Sequence, residues 1–183
     1  HRILGVRTVG DCQMVFVDTP GVHRPVYRLN ERMMETVYEA LREVDLVVHM
    51  VDMSERFGKG EKYVLDMVRQ ARKPTLLLLN KVDLINKGKI LPAIDFYRQQ
   101  HEFQEMIPIS ATQGDNLDTL LEKISENLPE GDFRYPADYV TDQQERSMVG
   151  ERIREKVLQN TRQELPHASA VLLEEFDDEK REE

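Results

Sequence analysis

The sequence predicts a layered α/β domain followed by the opening of a second, smaller unit. Three observations carry this. Strand-like and helix-like patterns alternate through the first 128 residues. Several strands are short, nearly continuous apolar runs of the kind found in a buried parallel sheet. Pro129-Glu130-Gly131 then breaks the alternation and opens a polar stretch.

Residues Ile3 to Val9 read as a strand, and Met14-Val15-Phe16-Val17 as a second. The tight turn Gly10-Asp11 makes the two a hairpin. A loop rich in Pro and Gly follows. Asn30 is expected to cap a helix whose core stripe is Met33, Val37, Leu41 and Val44. Leu46 to Val51 is expected to be a central strand covered on both faces. Gly60 to Ala71 is amphipathic, with Tyr63, Val64, Met67 and Val68 on one side. Thr75 to Leu79 is the next buried strand and Ile90 to Gln100 the next helix. Met106 to Ile109 is a further strand, and Leu117 to Leu128 closes the domain.

Asp132 to Gln144 reads as an extended linker. Arg146 to Glu164 reads as a helix with Met148, Val149, Ile153, Val157, Leu158 and Leu165 on its apolar side, and Ala168 to Phe176 as a strand. One helix and one strand cannot bury a core, so this segment is read as the start of a second domain.

The composition is that of an ordinary globular protein, 40% hydrophobic and 32% charged. A net charge of −9 argues against a chain that is itself a nucleic-acid-binding surface. Seven of the ten residues from Glu174 onward are acidic, which reads as a solvated strand edge or frayed terminus, with an acidic interaction tail as the alternative. The single cysteine, Cys12, excludes an internal disulfide and agrees with a reducing compartment. No apolar run has the length of a membrane span.

Three segments carry chemistry, and each is placed at the carboxyl end of a strand, where open α/β sheets bind ligands. Asp18-Thr19-Pro20-Gly21 offers a carboxylate that can hold Mg²⁺ through a water, because Mg²⁺ gives up its hydration shell reluctantly. The N–H of Gly21 can approach a γ-phosphate unobstructed, and Val22 follows it. Asn80-Lys81-Val82-Asp83 suits guanine: the Asp83 carboxylate can accept from the ring N–H and the exocyclic amine, a donor pair that adenine lacks. Such a charge-assisted bond is worth roughly 1.5–3 kcal/mol. Asn80 can tie its loop to neighbouring segments, and the Lys81 stem can lie flat against the base. Ser110-Ala111-Thr112 brings a backbone N–H, that of Ala111, to the guanine carbonyl oxygen.

These are the base-reading and switch segments of a GTPase, in the expected order. No GxxxxGK[ST] phosphate loop occurs in the sequence. Gly58-Lys59-Gly60 does not supply one, because Met53 stands where its first glycine belongs and Gly60 where Ser or Thr belongs; it reads as a flexible connection. The chain is therefore expected to lack the first strand and phosphate cradle of such a domain. That would leave an unfilled slot in the sheet and open edges through which the chain could associate. Val22 cannot orient a hydrolytic water, so no catalytic residue is assigned. His23 is the only histidine near this chemistry, and His49 is expected to be a satisfied core histidine.

The chain resembles the Era family of bacterial GTPases. The resemblance rests on Asp18-Thr19-Pro20-Gly21-Val22-His23-Arg24-Pro25 and on the linker Tyr135-Pro136-Ala137-Asp138-Tyr139-Val140-Thr141-Asp142 with Glu145-Arg146. It extends to Glu151-Arg152-Ile153-Arg154-Glu155-Lys156 and Glu164-Leu165-Pro166-His167. It implies a P-loop-NTPase-type, mostly parallel sheet flanked by helices, incomplete here, followed by the start of an α+β KH-type domain. The implied divisions are a partial GTP-binding domain over 1–128, a linker over 129–145 and a truncated KH-type RNA-binding segment over 146–183.

The family binds and hydrolyses GTP with Mg²⁺, with K⁺ as an accessory cation left open. It binds small-subunit ribosomal RNA in 30S assembly, in the cytoplasm, and the resemblance extends to peripheral contact with the inner membrane. The implied nucleotide-binding residues are Asp18, Thr19, Pro20, Gly21, Val22, Asn80, Lys81, Val82, Asp83, Ser110, Ala111 and Thr112, with Asp18 on Mg²⁺. The family's GxxG loop for RNA is not found in these residues. The chain alone is expected neither to bind nor to hydrolyse GTP. The competing readings are another ribosome-associated GTPase, or a non-catalytic protein-binding module on a degraded GTPase fold.

Overall fold

The computed structural model describes residues 3–19, 28–141, 145–160 and 171. The chain divides into two compact units, His1–Tyr139 and Val140–Glu183. Among the described residues the first holds five strands, β1 (Ile3–Val9), β2 (Cys12–Asp18), β3 (Val47–Asp52), β4 (Thr75–Asn80) and β5 (Glu105–Pro108). Its helices are α1 (Arg28–Glu43), α2 (Lys59–Ala71), α3 (Ile90–Gln100) and α4 (Leu117–Asn127).

The strands form two sheets. β1 and β2 make an antiparallel hairpin, with Val9 opposite Cys12 across a turn that places Gly10 at a φ of 56°. The strands β3, β4 and β5 are parallel, with β4 central. Leu76, Leu77, Leu78 and Leu79 of β4 are at most 1% exposed, so both faces of this strand are covered. The period of two sends alternate leucines to opposite layers. Leu77 and Leu79 pack with Val51 and Tyr97, and with Ile94 of α3. Leu76 packs with Met14 of β2 and Ile124 of α4, and Leu78 with Ile107 and Ile109. Met14 thus joins the hairpin to the core of the parallel sheet.

The end of α3 is bound by a side chain of α2. The guanidinium of Arg69 on α2 donates to the carbonyl oxygen of Gln100, one of the carbonyls orphaned at the end of α3. At the hairpin, the Gln13 side chain accepts from the backbone N–H groups of Arg134 and Tyr135 and donates to the Tyr135 carbonyl and to Thr8 Oγ1. Residues 134–135 are therefore bound to the first unit although they belong to the stretch read as linker.

Several local expectations need correction. α1 begins at Arg28, so Asn30 lies inside it and does not cap it. Of its expected stripe, Val37 is buried with Met34 and Met67 of α2 and Leu41 packs against them, while Val44 lies beyond its end; Ala40 is also buried. Gly60 is in the first turn of α2 rather than in a flexible connection. β3 is covered on one face only: Val47, His49 and Val51 are buried while Val48 and Met50 are exposed. Run length alone cannot distinguish one covered face from two.

The second unit contains α5 (Glu145–Asn160). Val149 and Ile153, expected on a core-facing side, are exposed. The strand expected over 168–176 lies outside the described residues except for Val171. No helix among the described residues is long and apolar enough to cross a membrane.

His49 is buried, but its Nε2 has no hydrogen-bond partner among the described residues, where a satisfied histidine was expected. Burial, assisted by the neighbouring His101, pushes its pKa down to about 4. The unfolded chain protonates this ring near its ordinary 6.5, so stability is lost as pH falls from 6.5 to 4. The loss from this one group is at most about 3 kcal/mol. Urea denaturation of His49→Leu at pH 7 and pH 4.5 is expected to show a smaller acid loss than the parent. At pH 7 the variant should be at least as stable, since it removes an unpaired buried polar atom.

Candidate functional site

The parallel register aligns Asp52 at the end of β3 with Asn80 at the end of β4. The backbone N–H of Met53 donates to the Asn80 carbonyl oxygen at 2.9 Å, which closes the ladder at that level. β5 runs beside β4, and the N–H of Ile109 continues the pairing to Leu79 O at 2.9 Å, so Ser110 emerges next to Asn80. Two of the three sequence segments therefore meet at one end of the sheet.

They are joined directly. The N–H of Ala111 donates to Asn80 Oδ1 at 3.1 Å, and that of Val82 to Ile109 O at 3.2 Å. The Asn80 Nδ2 faces Met50 Sδ at 3.3 Å. The Ala111 amide is the donor expected to reach a guanine carbonyl oxygen; here Asn80 occupies it. A base entering the pocket must share or take over that donor.

Lys81 follows with φ 65° and ψ 37°, a left-handed conformation unusual for a residue with a side chain. Its Nζ lies 2.5 Å from Asp52 Oδ2. The other oxygen, Asp52 Oδ1, accepts from the N–H of Ser54 at 2.8 Å and from Ser54 Oγ at 2.6 Å. The Lys81 ammonium and the Ser54 donors pull the Asp52 pKa down to about 2, and Asp52 in turn raises that of Lys81. Asp52 also lines a cleft of about 380 Å³ between the end of β3 and the start of α2, with His49, Arg56, Gly58 and Glu61 among its walls. The sequence reading missed Asp52. The available signal was an acid ending one strand beside an Asn-Lys pair ending the next.

Val82-Asp83-Leu84 form a 3-10 turn. The Asp83 side chain is exposed and accepts no hydrogen bond among the described residues, which leaves its carboxylate available to a donor pair on a ligand.

The third segment is shaped by its own hydrogen bonds. Ser110 is fully buried, and its carbonyl oxygen accepts from the N–H of Gly114 at 2.8 Å and of Asp115 at 3.1 Å. Its Oγ accepts from the N–H of Gln113 at 3.2 Å and lies 3.4 Å from Thr112 Oγ1. Gly114 has a φ of 82°, where a side chain would be strained. Asn116 Nδ2 donates to Pro108 O at 2.7 Å and closes the loop onto β5. Ala111 and Thr112 remain exposed at its tip.

Asp18 and Thr19 are exposed at the end of β2. No hydrogen bond or ion pair joins Asp18 to the other two segments among the described residues. Pro20, Gly21, Val22 and His23 lie outside those residues. No group of three or more His, Cys, Asp or Glu side chains suited to a metal exists among the described residues. A lone exposed carboxylate fits Mg²⁺ held through water and ligand oxygens, and does not fit an all-protein metal cage.

Comparison with known proteins agrees with this geometry. Residues 1–81 match the family described as 50S ribosome-binding GTPase. A crystal structure of Era in complex with MgGDPNP and a segment of 16S ribosomal RNA is 35% identical, with a TM-score of 0.82 over 91% of this chain and 57% of that one. An Aquifex aeolicus Era variant bound to GDP.AlF4- is also 35% identical, with a TM-score of 0.79 over 90% of this chain and 57% of that one. Elongation factor SelB from Methanococcus maripaludis, in complex with the GTP analogue GppNHp, is 17% identical with a TM-score of 0.57 over 74% of this chain and 30% of that one, a likeness of fold alone. This chain thus spans 57% of the length of the two Era chains. The parallel sheet and its flanking helices are those of an Era-type G domain, which this chain carries.

Proposed function

We propose that the protein binds guanine nucleotides through Asn80, Lys81, Asp83 and Ala111, hydrolyses GTP, and acts on small-subunit ribosomal RNA in 30S assembly. The observation that carries the nucleotide reading is the lacing of the 80–83 loop to the 110–112 loop at one sheet end, with the Asp83 carboxylate left open. Guanine's ring N–H and amine would donate to Asp83, while adenine would leave that acid unpaired. The RNA and assembly roles rest on likeness to Era, of which a structure with 16S ribosomal RNA is known. Such work belongs in the cytoplasm.

Asp18 would hold Mg²⁺ through a water. When bound, the metal would neutralise charge on the phosphate oxygens. The chain's own part is to orient the base and to offer the Gly21 amide to the terminal phosphate. The Val22 side chain has no polar atom with which to position water, so that group must come from elsewhere. Residues 1–183 alone hold no GxxxxGK[ST] cradle, and we propose that this polypeptide by itself neither retains nor hydrolyses GTP.

We further propose a longer parent protein, here the full-length protein, since this chain lacks a phosphate loop and spans 57% of the two Era chains. Fluorescent GDP titrated into residues 1–183 and into that protein, with fluorescent ADP as control, separates these statements. The expected outcome is GDP-selective binding by the full-length protein and none by residues 1–183. Micromolar GDP binding by residues 1–183 would show that the base pocket suffices alone. Equal binding of GDP and ADP by the full-length protein would remove the guanine assignment.

Asp83→Ala in the full-length protein is expected to weaken GDP binding by about tenfold or more, from a charge-assisted pair worth about 1.5–3 kcal/mol. ADP binding and the melting temperature should be almost unchanged, since the Asp83 side chain is exposed and makes no hydrogen bond among the described residues. Equal losses for both nucleotides would count against a base-reading role.

A further inference from the structure

The Lys81 side chain is held at both ends. Its Cα sits in a left-handed conformation just past β4, and its ammonium is paired to Asp52 at the end of the neighbouring strand. Asp52 is itself immobilised, because both donors of Ser54 engage its other oxygen. The two side chains are 47% and 30% exposed. An ion pair so open to solvent does little for folding. It does, however, tether the far end of a long, otherwise freely rotating stem to the end of the neighbouring strand.

We propose that Asp52 is a positioning residue of the base pocket, fixing the Lys81 stem as the flat apolar wall on which guanine rests. The inference depends on the guanine-nucleotide reading of residues 80–83. Asp52 need not touch the base. It acts through Lys81, and Ser54 acts through Asp52. A stem already ordered before binding loses less rotamer freedom when the base arrives, and this preorganisation appears as affinity.

A double-mutant cycle in the full-length protein tests this, with fluorescent GDP affinity as the readout. Asp52→Ala is expected to weaken GDP binding about fivefold, and Lys81→Met by at least as much. The double variant should be no worse than Lys81→Met alone, because Asp52 has nothing left to position. Asp52→Asn, which keeps an oxygen for Ser54 and loses the charge, should fall between the parent and Asp52→Ala.

A merely structural role predicts a different pattern: Asp52→Ala would cost the same whether position 81 is Lys or Met. That result overturns the proposal, as does unchanged GDP affinity in Asp52→Ala. Thermal melts accompany each variant. If Asp52→Ala fails to fold, Asp52→Asn takes its place in the cycle, and the same two outcomes decide. Absence of GDP binding by the unaltered full-length protein would remove the guanine reading itself, and the proposal with it. Loss of coupling in a protein that does bind GDP removes only the role of Asp52.

Discussion

The backbone ladder along β4 aligns the strand ends, and the burial of four leucines holds that ladder dry. The leucines alone do not set the alignment. With apolar side chains on both faces, a slip along the strand exchanges one leucine for another, so the hydrophobic pattern is nearly blind to it. Polar closures at the two ends supply the missing information. Val47 bonds Pro74 and Gln104 bonds Thr75 at one end, and Met53 bonds Asn80 and Ile109 bonds Leu79 at the other. A slipped strand would break these bonds, several of which end on the buried residues Val47, Thr75, Leu79 and Ile109, where unpaired backbone groups are costly. It would also carry Asn80 away from Ala111 and Lys81 away from Asp52. Fold register and the geometry of the candidate site therefore depend on the same closures.

Element order was legible because run lengths and turn residues carry it. Gly10-Asp11 between two short apolar runs admits little besides a hairpin, and the bounds of α3 match the expected Ile90 to Gln100. What the sequence left ambiguous was environment. Val47 to Val51 looks the same whether one face of the strand is covered or both. Asn30 has a capping side chain, yet helical backbone starts two residues earlier. Val149 and Ile153 lie on an apolar stripe but are exposed in their own unit. Each case turns on what a neighbouring segment does, which periodicity does not encode.

The candidate site divides along the same line. Motif spacing identified the Asn-Lys-Val-Asp and Ser-Ala-Thr loops, because their chemistry lies in consecutive residues. Asp52 escaped notice because its role comes from strand adjacency with a partner 29 positions away, Lys81. The use of the Ala111 amide by Asn80 was equally invisible, since one donor can serve either a neighbour or a base. The Pro20 to His23 stretch lies outside the described residues, and its expected part in the switch rests on sequence alone.

The left-handed backbone at Lys81 has a consequence for how this position can vary. A residue there must meet two demands that have nothing to do with each other. Its main chain must tolerate positive φ, which penalises valine, isoleucine and threonine whatever their side chains could offer a ligand. Its side chain must also be long enough to cross to the next strand. Glycine and asparagine satisfy the first demand and fail the second, while methionine satisfies reach and brings no charge. Very few of the twenty amino acids pass both filters, so drift at this position is narrow even before any selection by nucleotide acts on it.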